Sequence, residues 1–433
     1  MTDIEEAKND KERAHIVALY LHDTYHFKTL RDTREILVYQ DGIFKPENGL
    51  IAENVEGILG LEATIKLVRE VIDKITRLTL TERSEFDKDP DILNLKDGLL
   101  NMKTGKLKFH KHDHPYLSRV QLPLKFDPKA GCPTIARFMK TSLVDPTNIK
   151  KFVRMLGYIL MSSNKYDAIF FFVGVGSNGK SVMIELIRKF IGPENCATVS
   201  LQELVSDPYA KAELAGKMVN LVADMPADEI TDGSIFRSLS SMDRNRGQFK
   251  YKNAFTFYNR AKMIFSTNRL PRIPAEYANM RRVIIIEFPH VFGEDEKDPE
   301  LLQKLTTEAE LSGLLNLALA GKKALELEGG FNFETVQQVS RKYEVWTNDV
   351  KAFVDQRCIL NGRDGPTDEI QMGYARFCKD TGRKPMENNV LGAELAEMGI
   401  IRKRKRVKGV ARYFYEGLSL KTALDGAAPG VPG

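Results

Sequence analysis

Cysteine is scarce in this chain: four in 433 residues, at Cys132, Cys196, Cys358 and Cys378, with no CxxC pair. That pattern argues against a disulfide framework and a thiolate zinc site, and it fits a reducing compartment. Net charge is small as well, since 64 Lys and Arg against 59 Asp and Glu leave only +5. So slight an excess identifies no polyanionic partner, and the distribution of charge has to carry that argument. Long apolar runs are missing. The run over 168–173 is far too short to span a bilayer. The polar, acidic start at Met1, Thr2, Asp3 is not a signal peptide. A soluble, intracellular (cytoplasmic) protein without membrane contact is expected. No internal repeat is visible.

What is present is an ordinary apolar content of 42%, enough for packed cores throughout, and a length that suits two to four domains. Residues 1–90 read as mixed helix and strand, with a helix over 61–80 and a strand over 35–39 that turns at Asp41 and Gly42. Short strands with turns follow over 92–126. The stretch 135–163 reads as two helices broken at Asp145 and Pro146. The runs 168–173, 218–223, 262–267 and 283–288 then alternate with helical segments, which predicts an α/β sheet domain. Further on, helical segments over 350–358, 368–380 and 389–398 precede β-like stretches at 400–407 and 411–418, with a turn at Lys408 and Gly409. Three helices and a hairpin are the outline of a winged helix. The fold class expected is therefore multidomain α/β. An N-terminal α+β domain (1–145) precedes the sheet domain (146–326), a winged-helix-like domain (345–421) and a disordered tail (422–433).

Gly174, Gly179, Lys180 and Ser181 fit GxxxxGK[ST], the phosphate-binding loop, with Gly176, Ser177 and Asn178 between them. Glycines let backbone N–H groups close around phosphate oxygens, and the following helix adds a positive end. In that chemistry Lys180 reaches the β- and γ-phosphates of ATP and the Ser181 hydroxyl ligates Mg²⁺. A glycine-rich turn that matches by chance need not have an apolar strand before it and a helix after it; this loop has both. Asp224 closes the next strand-like run and is the expected second holder of the Mg²⁺ shell. Ala223 stands where many such ATPases carry another acid, so Asp228 and Glu229 remain open as the group that orients the attacking water. Asn268 ends a further strand and could contact the γ-phosphate. Arg281 and Arg282 precede the last strand, where one of them could reach a neighbouring subunit's site.

Together these motifs resemble those of superfamily 3 helicases of the AAA+ class, most of all the primase-helicases of phages, plasmids and poxviruses. The loop form over 176–181, the segment 241–255, the stretch Phe265 to Pro271 and the pair Arg281, Arg282 carry the likeness, with looser similarity at 93–106 and 126–133. The resemblance implies a homo-hexamer that hydrolyses ATP and moves 3′→5′ along single-stranded DNA, Arg281 or Arg282 serving as the arginine finger. Residues 1–90 show no acidic metal-binding motif of a primase, so a separate primase or polymerase partner is expected. A DNA-binding loader that never unwinds and a small-molecule kinase are the competing readings.

Basic residues cluster twice. Arg244, Arg246, Lys250 and Lys252 alternate with Phe249, Tyr251 and Phe255, a composition suited to a hairpin that holds single-stranded DNA by its phosphates, Lys250 and Lys252 nearest the backbone. The aromatics could equally be core. Arg402, Arg404, Arg406 and Lys408 fall on the expected wing and suit duplex or forked DNA, although a charged edge strand would look the same. His110, His112 and His114 read as a solvated loop rather than a metal site, and Trp346 as packing.

Overall fold

The computed structural model describes residues 6–109, 116–230, 232–251, 253–274, 276–360, 362–380, 384–407 and 410–421. The expected tail, the histidine loop, Lys252 and Lys408 lie outside the described residues.

The chain opens with α1 (Asp10–Thr24), capped by the Asn9 side chain on the Glu12 amide. Three strands follow, β1 (Phe27–Leu30), β2 (Ile36–Gln40) and β3 (Ile43–Pro46), then α2 (Leu50–Leu59), α3 (Ile65–Leu78) and the short β4 (Leu80–Thr81). The sheet order is β3-β2-β1-β4. Leu67, Val71 and Ile75 recur every fourth residue on α3 and bury one stripe against α1. The sequence suggested a helix from residue 61. It starts at Ile65 because Thr64 caps the Leu67 amide, and Leu61 stays fully exposed.

A meander of β5 (Ile92–Leu95), β6 (Gly98–Asn101) and β7 (Lys106–Phe109) leads to α4 (Pro133–Leu143) and α5 (Pro146–Ile159). Asp145 caps α5 and Pro146 occupies its first turn, which is why the helical stretch breaks there. Leu93, Leu95 and Leu100 of the meander share one continuous core with α4, α5 and the large sheet, so this core does not divide near residue 145.

The large sheet consists of β8 (Ile169–Val173), β9 (Cys196–Ala197), β10 (Val219–Val222), β13 (Lys262–Thr267) and β14 (Val283–Glu287). All pairings are parallel and the order is β14-β8-β13-β10-β9. The connections carry α6 (Lys180–Ile191), α7 (Leu201–Ser206), α8 (Ser234–Ser240) and α9 (Tyr277–Met280). Between β10 and β13 an antiparallel hairpin forms from β11 (Arg244–Gly247) and β12 (Phe255–Tyr258). Helices cover both faces of the sheet. Phe170 and Phe172 face the layer of α4, α5 and α6, while Ile169, Phe171 and Val173 face the layer of α7 and α8. A strand covered on both sides has no polar face, hence the unbroken apolar run.

After α10 (Leu301–Leu305), the long α11 (Glu308–Glu328) packs along α5. The next helix, α12 (Val336–Thr347), buries Val339, Tyr343 and Trp346 in the core of the sheet. Trp346 is packing, as its sequence context suggested, and its Nε1 donates to Glu287 Oε1 at 3.1 Å. The C-terminal unit has its own core. It comprises α13 (Asp349–Arg357), β15 (Cys358–Leu360), β16 (Gly365–Pro366), α14 (Thr367–Asp380), α15 (Asn388–Glu397), β17 (Arg402–Val407), β18 (Val410–Tyr415) and β19 (Leu418–Leu420). Three helices followed by a β-hairpin are therefore present.

One buried charge at the foot of the sheet gives a pH signature. Lys262 is 1% exposed, and its Nζ donates to the Met161 and Arg260 carbonyls at 2.7 and 2.9 Å. Burial pulls its pKa down to about 7. Between that value and 10.5 the unfolded chain holds a proton that the folded chain has released, so this group makes stability rise with pH and contributes no slope below about 7. The stability of wild type relative to Lys262→Met should therefore climb by of order 3 kcal/mol between pH 7 and 9.5, read from urea unfolding midpoints. Equal slopes for the two proteins would refute it.

Candidate functional site

The carboxyl ends of the parallel strands converge on an open cleft of about 390 Å³. Gly176, Ser177, Gly179, Lys180 and Ser181 line it from the loop after β8, Asp224 from the end of β10, and Ser266, Thr267 and Asn268 from the end of β13. Ligands of open α/β sheets bind at this end. The loop is built by two close approaches. A Cβ at Gly174 would lie 2.6 Å from the Phe288 carbonyl, and Gly179 sits at φ +85° with its Cβ position 2.9 Å from Ser142 Oγ. Side chains at either place would push the loop off β14 or α4. Asn178 is buried and braces the loop: its Nδ2 donates to the Phe288 carbonyl at 3.2 Å.

Lys180 opens α6 and folds back over the loop. Its Nζ donates to the carbonyl of Gly174 at 2.6 Å, to Asn178 Oδ1 at 3.0 Å and to Asn268 Oδ1 at 2.9 Å. The Val175 carbonyl is a fourth acceptor at 3.3 Å, and all four are neutral. Burial pulls the Lys180 pKa down to about 8, and the nearby Asp224 carboxylate opposes that shift. A buried ammonium held by neutral oxygens at a helix N-terminus is a site for an anion. Ser181 and Asp224 are exposed toward the same cleft, so a hydroxyl and a carboxylate stand where a hard cation would need oxygen ligands. The donor set fits a triphosphate with Mg²⁺.

Arg281 and Arg282 lie elsewhere. Val283 pairs with Ile169 and Glu287 with Val173, so both arginines stand at the amino ends of the strands, roughly 13 Å of strand away from the loop. They share one partner, Asp167, whose Oδ2 is 2.8 Å from Arg281 and 3.3 Å from Arg282. Arg282 is buried and also donates to Ser240 Oγ at 3.0 Å and to the Ala278 carbonyl. Arg281 is the exposed member, with a side chain 43% accessible. The sequence left the two arginines equivalent; burial separates them. Asp167 itself went unremarked, although an acid directly before the apolar strand was visible.

The hairpin β11–β12 projects Arg244, Arg246, Lys250 and Tyr251 to solvent, with Tyr251 at φ +64° and 93% exposed. Phe255 and Phe257 are core, which settles them as bracing. Arg83 of the N-terminal unit lies over the Phe255 ring at 5.2 Å and is held by Asp32 at 2.7 Å. No local pattern signals that residues so far apart in the chain meet. In the C-terminal hairpin the basic strand is two-faced. Lys403 and Lys405 are neutralised by Glu416 and Asp364. Arg402, Arg404 and Arg406 share the other face, exposed, with Arg402 over the Tyr413 ring at 4.2 Å. Among the described residues, no group of His, Cys, Asp and Glu is arranged to hold a metal, and no helix is long and apolar enough to cross a membrane.

The sheet and its loop define the class: a parallel α/β fold with a glycine-rich loop after its first sheet strand, a hairpin inserted before its fourth and a C-terminal unit of helices and short strands. Several known proteins resemble parts or most of this chain. Residues 172–282 match a family of unknown function (DUF5906), and residues 24–144 match the "D5 N terminal like" family. The chain is 26% identical over 325 residues to the "Putative helicase V13" of Sputnik virophage, a match covering 66% of this chain. It spans 41% of that relative's length. Among solved structures, the apo C-terminal region of NrS-1 is similar at 14% identity and a TM-score of 0.48, covering 92% of this chain and 98% of that one. A second apo structure of that region, residues 305–718, has 13% identity and a TM-score of 0.47, with coverages of 94% and 99%.

Proposed function

We propose that this chain is the ATP-driven motor of a DNA helicase that replicates a virus, plasmid or integrated mobile element. The observation that carries the reading is the Lys180 ammonium. It is buried among neutral oxygens and shared between the phosphate loop and Asn268, in a cleft that also holds Asp224. The virophage relative's name and the "D5 N terminal like" match support a replicative role. In this proposal the ATPase core is AAA+ of superfamily 3, and the three helices with their hairpin form a winged helix. Lys180 leaves its carbonyls for the β- and γ-phosphates, while the loop amides from Gly174 to Gly179 hold the rest of the triphosphate. Ser181 and Asp224 would hold Mg²⁺, which supplies charge neutralisation at the phosphates when bound. Asn268 orients the γ-phosphate; neither Asp228 nor Glu229 lines the cleft, and Glu229 faces Arg272, Tyr343 and Lys351 instead, so neither is assigned the attacking water. Six copies would form a ring in which Arg281 serves the neighbouring cleft, with 3′→5′ movement and a separate primase or polymerase as partner.

DNA would be held by Arg246, Lys250 and Lys252, and forked duplex by Arg402, Arg404, Arg406 and Lys408. Lys250→Ala should weaken single-stranded DNA binding about equally for all sequences and lower the slope of log K against log salt by about 0.7. It should leave ATP affinity unchanged. An unaltered salt slope would remove Lys250 from the DNA path. The function itself is tested by strand separation on a forked duplex with ATP. Unwinding by wild type that vanishes in Lys180→Ala supports the helicase. DNA binding and ATP turnover without unwinding would make the protein a loader, and turnover that needs a small acceptor would make it a kinase.

A further inference from the structure

Two consecutive residues after β13 face different parts of the molecule. Asn268 Oδ1 accepts from Lys180 Nζ in the phosphate cleft. Arg269 turns the other way. Its Nε donates to the Thr347 carbonyl at 3.1 Å, and its Nη1 lies 3.3 Å from Asp349 Oδ2. Thr347 ends α12 and Asp349 begins α13, so one guanidinium spans the junction between the ATPase core and the C-terminal unit. The Asp349 side chain is only 6% exposed, which leaves little room for water to take the guanidinium's place. The junction residue Asn348 caps α13 through the Val350 and Lys351 amides at 2.9 and 3.0 Å, and its Nδ2 donates to Glu394 Oε2 of α15 at 2.7 Å. A continuous set of polar contacts thus runs from the cleft to the helix preceding the basic hairpin.

We propose that Arg269 is a positioning residue that couples occupancy of the phosphate cleft to the orientation of the C-terminal unit. The proposal rests on the ATP-site reading above. A triphosphate draws Lys180 away from Asn268, the loop that carries Asn268 and Arg269 resettles, and the clamp on Thr347 and Asp349 moves with it. Nucleotide state is then felt at Arg402, Arg404 and Arg406 without any of them touching nucleotide. The coupling is a difference in contacts between two states, as any such linkage requires.

The full chain allows a direct test. Three of its cysteines are buried and Cys132 is half-buried, so Cys132→Ser leaves introduced thiols as the labelling sites. Lys189→Cys on α6 and Val390→Cys on α15, both exposed, would carry a fluorophore pair for energy transfer. Addition of a non-hydrolysable ATP analogue with Mg²⁺ should shift the transfer efficiency. Arg269→Ala should cut that shift by about threefold or more while nucleotide affinity changes less than about threefold. Arg269→Lys should restore part of it, because it keeps the charge opposite Asp349. If Arg269→Ala fails to fold, Asp349→Asn removes the ion pair at constant volume and should show the same loss. A full shift in the folded variant, or nucleotide binding by wild type with no shift, overturns this proposal alone. No nucleotide binding by wild type overturns the ATP-site reading and this proposal with it.

Discussion

Lys180→Met should lower ATP turnover by about 10²–10³-fold and leave the thermal midpoint unchanged or raised. The two halves of this result have one cause. Lys180 is a buried ammonium whose pKa is held near 8 by desolvation, so the resting fold carries the cost of an unneutralised charge. Methionine fills much of the same space and removes that cost, at the loss of hydrogen bonds to the Gly174 carbonyl, Asn178 and Asn268. That result would mean that the fold does not depend on Lys180, as the proposed triphosphate site requires. The same pKa sets a pH dependence. A triphosphate holds the protonated form, so binding requires proton uptake once the resting lysine has titrated, and affinity should fall as pH rises above about 8. Calorimetry in buffers of different ionisation enthalpy would read that uptake. A variant that keeps its turnover, or loses it only together with a large drop in melting temperature, would make Lys180 structural.

The second large effect separates two adjacent arginines. Arg281→Ala should lower turnover in the assembled protein by about 10³-fold or more with little change in stability. Its exposed ion pair with Asp167 is worth at most about 1 kcal/mol. Arg282→Ala should behave in the opposite way. It strips a buried guanidinium from Ser240, the Ala278 carbonyl and Asp167, and should destabilise the fold by about 2–4 kcal/mol. Arg281 stands at the far end of the sheet from its own loop, so in the proposed function it acts on another copy. Arg281→Ala chains mixed with Lys180→Ala chains should therefore recover measurable turnover, since some interfaces then pair an intact loop with an intact arginine. Failure to recover at every mixing ratio would leave Arg281 a surface residue.

Much of this was legible in the sequence because it depends on local rules. The run over 168–173 announces a strand buried on both faces, and the glycines and Lys180 announce the loop that follows. Pro146 behind a capping aspartate breaks the helical stretch where the structure breaks it. The three helices at the C-terminus lie within a residue of the pattern, and the second hairpin strand ends at Tyr415, three residues earlier than expected. The cleft was less legible. Asp224 and Asn268 could be nominated as strand-end polar residues, but their meeting with Lys180 depends on strand order, which periodicity does not encode.

Burial and distant pairing set the remaining features. No local signal tells Arg281 from Arg282; one guanidinium falls under α8 and α9 and the other does not. Phe249, Tyr251, Phe255 and Phe257 look alike in sequence, yet Phe255 and Phe257 brace the hairpin and Tyr251 leaves it. The Arg83 contact to Phe255 and the Arg269 clamp on Asp349 join residues far apart in the chain. The amino-acid order alone determined which segments form strands, helices and the glycine-rich loop, since those follow from side-chain period, capping and backbone freedom over a few residues. Only the tertiary structure decided which charges are spent inside the protein and which remain for a ligand, because that depends on the neighbours that packing supplies.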